Sequence, residues 1–182
     1  MSLAIPADLA DFRGRSMEVR SIEAIVTALN KAEVQYLVVG GLAVNAHGFA
    51  RLTMDVDLVI GLEPSNIIRG LHALQSIGYH PGIPVSPTQF ADPETREAWR
   101  RDKQMLVLKL WSDSHRRTPV DVFVYEPFDF SQEFVRASWQ YVTSDEKAPV
   151  LCYEALIAMK KEAGREKDLL DILALQKLDS HR

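Results

Sequence analysis

Hydrophobic and polar positions change their period along the chain, and each change marks an element. In SMEVRSIEAIVTALNKAEV, Ile22, Ile25, Val26 and Leu29 recur at intervals of three and four, which predicts an amphipathic helix capped near Ser21. QYLVVGG is a short apolar run stopped by glycines, as expected of a buried strand. LAVNAHGFA then reads as a short helix ending near Gly48. MDVDLVI alternates acid and apolar before running apolar to Gly61, which predicts a second strand. PSNIIRGLHALQSIG predicts a helix with Pro64 in its first turn and Gly78 past its end.

The second half continues the alternation of types. YHPGIPVSP is a loop or a weak edge strand, because prolines interrupt any ladder. DPETREAWRRDK predicts a helix starting at Asp92 or Pro93. QMLVLKLW and PVDVFVYE predict an antiparallel strand pair joined by the polar turn SDSHRRT. SQEFVRAS is helix-like, QYVT strand-like, and the end is two helical stretches broken around Gly164. There, Leu169, Leu170, Ile172, Leu173 and Leu175 are expected to pack against the rest. This order predicts an α/β (α+β) domain: a mixed sheet flanked by helices, with a C-terminal helical extension.

Composition narrows the class. In 182 residues, 47% are apolar and 25% charged, enough for a sizeable core without disulfides or structural metal. Cys152 is the lone cysteine, in the apolar run VLCYEAL, and reads as a core residue; zinc-type Cys/His spacing is absent. No apolar run reaches the roughly 18 residues of a membrane span. The first residues lack a basic and then apolar leader, so a cytoplasmic protein is the expectation. A net charge of −4 argues against an all-over polyanion-binding surface. The basic clusters REAWRRDK and HRR read as a solvated helix face and a charged turn.

Candidate chemistry lies in Asp55 and Asp57. In a strand, residues i and i+2 point to one side, so the two carboxylates project together while Val56 and Leu58 face the core. Adjacent carboxylates repel unless protonated or bridged by cations, and a hard divalent ion is the natural bridge. Asp-x-Asp alone is common on exposed turns. Two further features strengthen it. Gly40-Gly41 lacks Cβ atoms, so backbone N–H groups there can approach a phosphate, although a tight turn would also use such a pair. Asp121 sits in an apolar strand, opposite in phase to Val120, Val122 and Val124 and in phase with Phe123 and Tyr125. Three acids on neighbouring strands suit two divalent ions flanking a phosphoryl displacement.

A glycine pair, a short helix, Asp-x-Asp and a third acid on a later strand together resemble the DNA polymerase β-type nucleotidyltransferase superfamily. Thirteen residues separate Gly41 from Asp55, close to the usual spacing of that pattern. LIAMKKEAGREKDLLDIL further resembles the Lys…Arg-x-x-Asp-x-x-Asp helix of small AbiEii-type enzymes of abortive infection. The resemblance implies a nucleotidyltransferase core over residues 18–126, an N-terminal extension (1–17) and a mainly helical C-terminal part (127–182) packed on the core. It implies that Asp55, Asp57 and Asp121 are catalytic and hold two Mg²⁺ or Mn²⁺ ions. Gly40, Gly41, Arg51, Thr53 and Lys160 would contact the NTP; a surface ion pair is the alternative for Arg51. Arg165 and Lys167 are further cations that could reach a triphosphate, while Asp168 and Asp171 share a helix face. His47 reads as a helix-terminal polar residue.

The implied activity is transfer of NMP from an NTP to a hydroxyl of a tRNA, a protein or a small molecule, in a toxin–antitoxin or phage-defence setting. The alternative is an inactive, antitoxin-like binding module. A metal-dependent phosphohydrolase would usually add histidines to the acids, and none lies beside them.

Overall fold

The apolar stripe of Ile22, Ile25, Val26 and Leu29 is buried as helix α1 (Val19–Lys31). A computed structural model describes residues 18–180; the expected extension at 1–17 lies outside the described residues. After α1 come β1 (Tyr36–Val38), α2 (Gly40–Ala46), β2 (Val56–Ile60), α3 (Pro64–Ser76) and the short β3 (His80–Pro81). Next are α4 (Pro87–Ala91), α5 (Pro93–Lys103), β4 (Val107–Trp111), β5 (Val120–Phe123) and α6 (Phe130–Val135). The chain then forms β6 (Ser138–Tyr141), β7 (Lys147–Val150), α7 (Tyr153–Ala163) and α8 (Glu166–Asp179). Among the described residues, no helix is long and apolar enough to cross a membrane.

The strands form one mixed sheet in the order β3-β4-β5-β2-β1-β7-β6. β2 lies between β1, which is antiparallel to it, and β5, which is parallel. β4 and β5 pair antiparallel as expected, with Lys109 opposite Asp121. Period-two alternation buries Leu108, Leu110, Val120 and Val122 on one side of the sheet, each at 1% exposure or less. The acids are left on the other side.

Five features depart from the sequence reading. Helix α2 starts at Gly40 itself, so the glycines open the helix rather than only stopping the strand, and it ends at Ala46 with His47 as its cap residue. Helix α4 was not anticipated; the Ser86–Gln89 capping box and Pro87 start it inside a proline-rich run. Strand β7, KAPV, was hidden by Pro149; its pairing with β1 is confined to Val38↔Val150, so the missing N–H falls where little ladder exists. β6 begins two residues before the expected QYVT.

The fifth departure concerns α8. Its buried positions are Asp168, Asp171, Ile172 and Leu175, a regular i, i+3, i+4, i+7 stripe. Two of the four are acids, so the leucine count misidentifies the inner face. Leu169, Leu170 and Leu173 are more than half exposed. Leu175→Ala is therefore expected to cost about 2–5 kcal/mol in urea unfolding, while Leu173→Ala stays within about 0.5 kcal/mol of the parent.

Candidate active site

The site forms where β1 ends and β2 and β5 begin. Val39 N–H donates to Asp57 O at 3.0 Å, and Val56 N–H donates to Pro119 O at 2.9 Å, which locks the three strand ends together. Asp57 and Asp121 are direct partners across the parallel β2–β5 pair, and Asp55 stands immediately before β2. One carboxylate oxygen from each of the three acids falls within 4.8 Å of the others.

The glycines are required by this convergence. Gly40 has φ of +62°, and a Cβ on it would collide with the Asp57 carboxylate. A Cβ on Gly41 would collide with Thr53 Oγ1 and stand 3.1 Å from Arg51 Nη2. The Gly41 backbone N–H acts to lower the Asp57 pKa. The bare backbone and the carboxylates thus share one concavity.

Electrostatics follow from the crowding. Burial raises the Asp57 pKa to about 6, and the neighbouring charges of Asp55 and Asp121 push in the same direction. Asp121 is also raised, chiefly by burial, against the lowering effect of Lys109. Lys109 Nζ lies 3.3 Å from Asp121 Oδ1, without the alignment of a hydrogen bond; that buried oxygen has no hydrogen-bond partner. Sequence reasoning missed Lys109. Its outward phase in β4 was legible, but the register that sets it opposite Asp121 was not. An all-oxygen donor set, a concavity that a Cβ would fill and a buried carboxylate oxygen without a hydrogen bond fit a hard divalent cation.

A second wall comes from the C-terminal helices. Arg51 grips Asp171 through two contacts, Nε to Oδ1 at 2.7 Å and Nη2 to Oδ2 at 3.0 Å. Lys160 Nζ donates to Asp171 Oδ2 at 2.6 Å and to Asp168 Oδ1 at 3.0 Å. Arg165 Nε completes the chain on Asp168 Oδ2 at 2.6 Å. Asp168, Asp171 and Lys160 are all buried, so the ammonium is enclosed within this network. Thr53 is also buried, its hydroxyl 3.4 Å from Asp55 O. The α7–α8 turn, with Gly164 at φ +61°, brings Arg165 into electrostatic range of Asp55 and Asp57, and Lys167 into range of Asp57 and Asp121. Arg165 and Lys167 are both exposed, Arg165 while paired to Asp168.

The remaining candidates are structural in their contacts. His47 Nε2 bonds Leu151 O at 2.8 Å. Cys152 is buried and donates to Glu133 Oε2 at 2.9 Å; burial pushes its thiol up to about 11.

No protein-family model matches the chain, and no curated protein matches it. Solved structures do. The chain is similar to a lincosamide antibiotic adenylyltransferase, LnuA, bound to lincomycin, with a TM-score of 0.59 and 16% identity over 89% of this chain and 98% of that one. It is also similar to a candidate nucleotidyltransferase of Thermotoga maritima (TM-score 0.52, 16% identity, 94% and 99% covered). A third match is an antigenic nucleotidyltransferase-like protein of Paracoccidioides brasiliensis (TM-score 0.51, 18% identity, 88% and 76% covered). The chain has the nucleotidyltransferase fold.

Two outcomes test the electrostatics. A carboxyl whose pKa rises on folding weakens the fold above that pKa, and the penalty fades as pH falls towards its unfolded value. Without metal, Asp57→Asn should therefore melt higher than the parent above pH 6, by about 2–4 °C per kcal/mol relieved. The difference should close as pH approaches 4, as read by circular dichroism. Lys160→Met leaves Asp168 and Asp171 buried without the cation they share, and should cost about 3 kcal/mol in urea unfolding.

Proposed function

We propose that the protein is a metal-dependent nucleotidyltransferase that moves NMP from an NTP to an acceptor hydroxyl. The observation that carries this reading is the convergence of Asp55, Asp57 and Asp121 within 4.8 Å, directly beside glycines whose missing Cβ atoms open the backbone. In this reading the acceptor oxygen bonds to the α-phosphorus as the bond to pyrophosphate breaks. Such a displacement needs positioning and charge stabilisation rather than a protein nucleophile.

Asp55, Asp57 and Asp121 would hold two Mg²⁺ or Mn²⁺ ions, which supply charge neutralisation at the phosphates and acidify the acceptor hydroxyl. Gly40 and Gly41 present backbone to the triphosphate from the β1 side. Thr53 and Arg51 line the approach to Gly41. Lys160 serves nucleotide binding at one remove: it fixes Asp171, and Asp171 holds the Arg51 guanidinium. Lys167 adds an exposed positive charge opposite the acids.

The buried Lys160–Asp168–Asp171 network supports kinship with AbiEii-type enzymes, and with it a toxin–antitoxin or phage-defence role. A tRNA end, a protein side chain and a small molecule are all possible hydroxyl acceptors. The similarity to a lincosamide antibiotic adenylyltransferase supports the last.

Incubation with each α-labelled NTP, Mg²⁺ or Mn²⁺, and cell extract should give label transfer that both Asp55→Ala and Asp57→Ala abolish. Thermal melting with NTP and Mg²⁺ should show a gain of about 2.7 kcal/mol at 100 times Kd, absent in the variants. Binding without transfer from any nucleotide would give the regulatory module instead, and no binding at all would sink both.

A further inference from the structure

Positive charge is spread unevenly over the acid trio. Register sets Lys109, Asp121 and Asp57 side by side across β4, β5 and β2, with Asp55 just before β2. The lysine therefore meets Asp121 from the side away from Asp57, its Nζ 3.3 Å from Asp121 Oδ1. The neighbouring cations are held elsewhere: Arg51 and Lys160 pair with Asp171, and Arg165 pairs with Asp168. Arg165 and Lys167 act on the trio only through longer-range charge. Among the described residues, Lys109 is thus the cation in ion-pair contact with the three acids.

The contact is built to be exchangeable. The Asp121 side chain is 11% exposed, whereas that of Lys109 is 57% exposed, on a flexible stem that can carry its ammonium back to water. Asp121 Oδ1 is buried without a hydrogen-bond partner, so the pair rests on charge rather than on an aligned hydrogen bond. An ion pair of this exposure adds little stability. Its effect is on the charge of the site. Three carboxylates and one ammonium leave a net charge that one divalent ion balances. A second ion at Asp121 has to face the ammonium at close range, where like charges repel.

We infer that Lys109 is a resident counter-ion that stands in for the second divalent cation at Asp121. This inference rests on the metal-dependent reading. The nucleotide-free protein takes up one ion at Asp55 and Asp57, and Lys109 withholds Asp121 from another. Lys109 yields that carboxylate when the phosphates of an NTP bring negative charge of their own.

Manganese(II) alone is the probe, titrated into nucleotide-free protein in neutral buffer, with the free ion read by its electron paramagnetic resonance signal. The parent should take up one ion tightly. In Lys109→Met a second ion should bind about tenfold more tightly than it does in the parent. Lys109→Arg keeps the charge and should retain the parent pattern, and adding Asp121→Asn to Lys109→Met should remove the second ion. The exposed position lets both Lys109 variants fold, which circular dichroism checks. Two equally tight ions in the parent, a second ion unchanged or weaker in Lys109→Met, or Lys109→Arg behaving as Lys109→Met would overturn the counter-ion role alone. Absence of any manganese uptake by the parent would overturn the metal-dependent reading with it.

Discussion

Three carboxylates confined within 4.8 Å of one another repel, and much of this architecture serves to keep them there. Paired strand ends supply the confinement. β2 and β5 run parallel in a register that makes Asp57 and Asp121 partners, so their backbones are fixed side by side. The chain leaving β1 closes the third side, where Val39 N–H donates to Asp57 O. Gly40 is the residue that permits this closure, because its left-handed conformation occupies the only space the Asp57 carboxylate leaves. The raised Asp57 pKa reflects first its burial and then the repulsion from Asp55 and Asp121.

The C-terminal helices respond to a different electrostatic problem in the same region. Two buried aspartates on α8 are matched by one buried lysine and two arginines, one from the loop before the acid trio and one from the α7–α8 turn. Such a network is a weak source of net stability, because desolvation offsets much of the attraction. Its consequence is geometric: Arg51, more than a hundred residues away in sequence, is held beside Gly41 by the helix that closes the fold. The tail and the loop before the acid trio are thereby coupled.

The legible parts of this molecule were those written in short-range pattern. The α1 stripe, the acid phase of β2 and the opposite phase of Asp121 in β5 all follow from periodicity within a few residues. What escaped was set by partners distant in sequence. Lys109 carries no mark of its role until β4 and β5 pair, and β7 shows no strand pattern because Pro149 interrupts it. Helix α8 misled in a more specific way: its inner stripe contains Asp168 and Asp171, which become tolerable inside only because Lys160 arrives from α7. Hydrophobicity alone turned that helix the wrong way round.

The sheet face around the acid trio is divided into two flanks of different build. The β1–β2 flank is tightly constrained: a Cβ at Gly40 or Gly41 would collide, and Asp57 has a neighbour on each side. The β5–β4 flank is built differently, from partly exposed side chains projecting off regular strands, and exchanging one ring for another there leaves the backbone ladder intact. Only Asp121 ties it to the acid trio. A site of this construction constrains the acid trio from the β1–β2 flank and leaves the β5–β4 flank free to differ in its side chains.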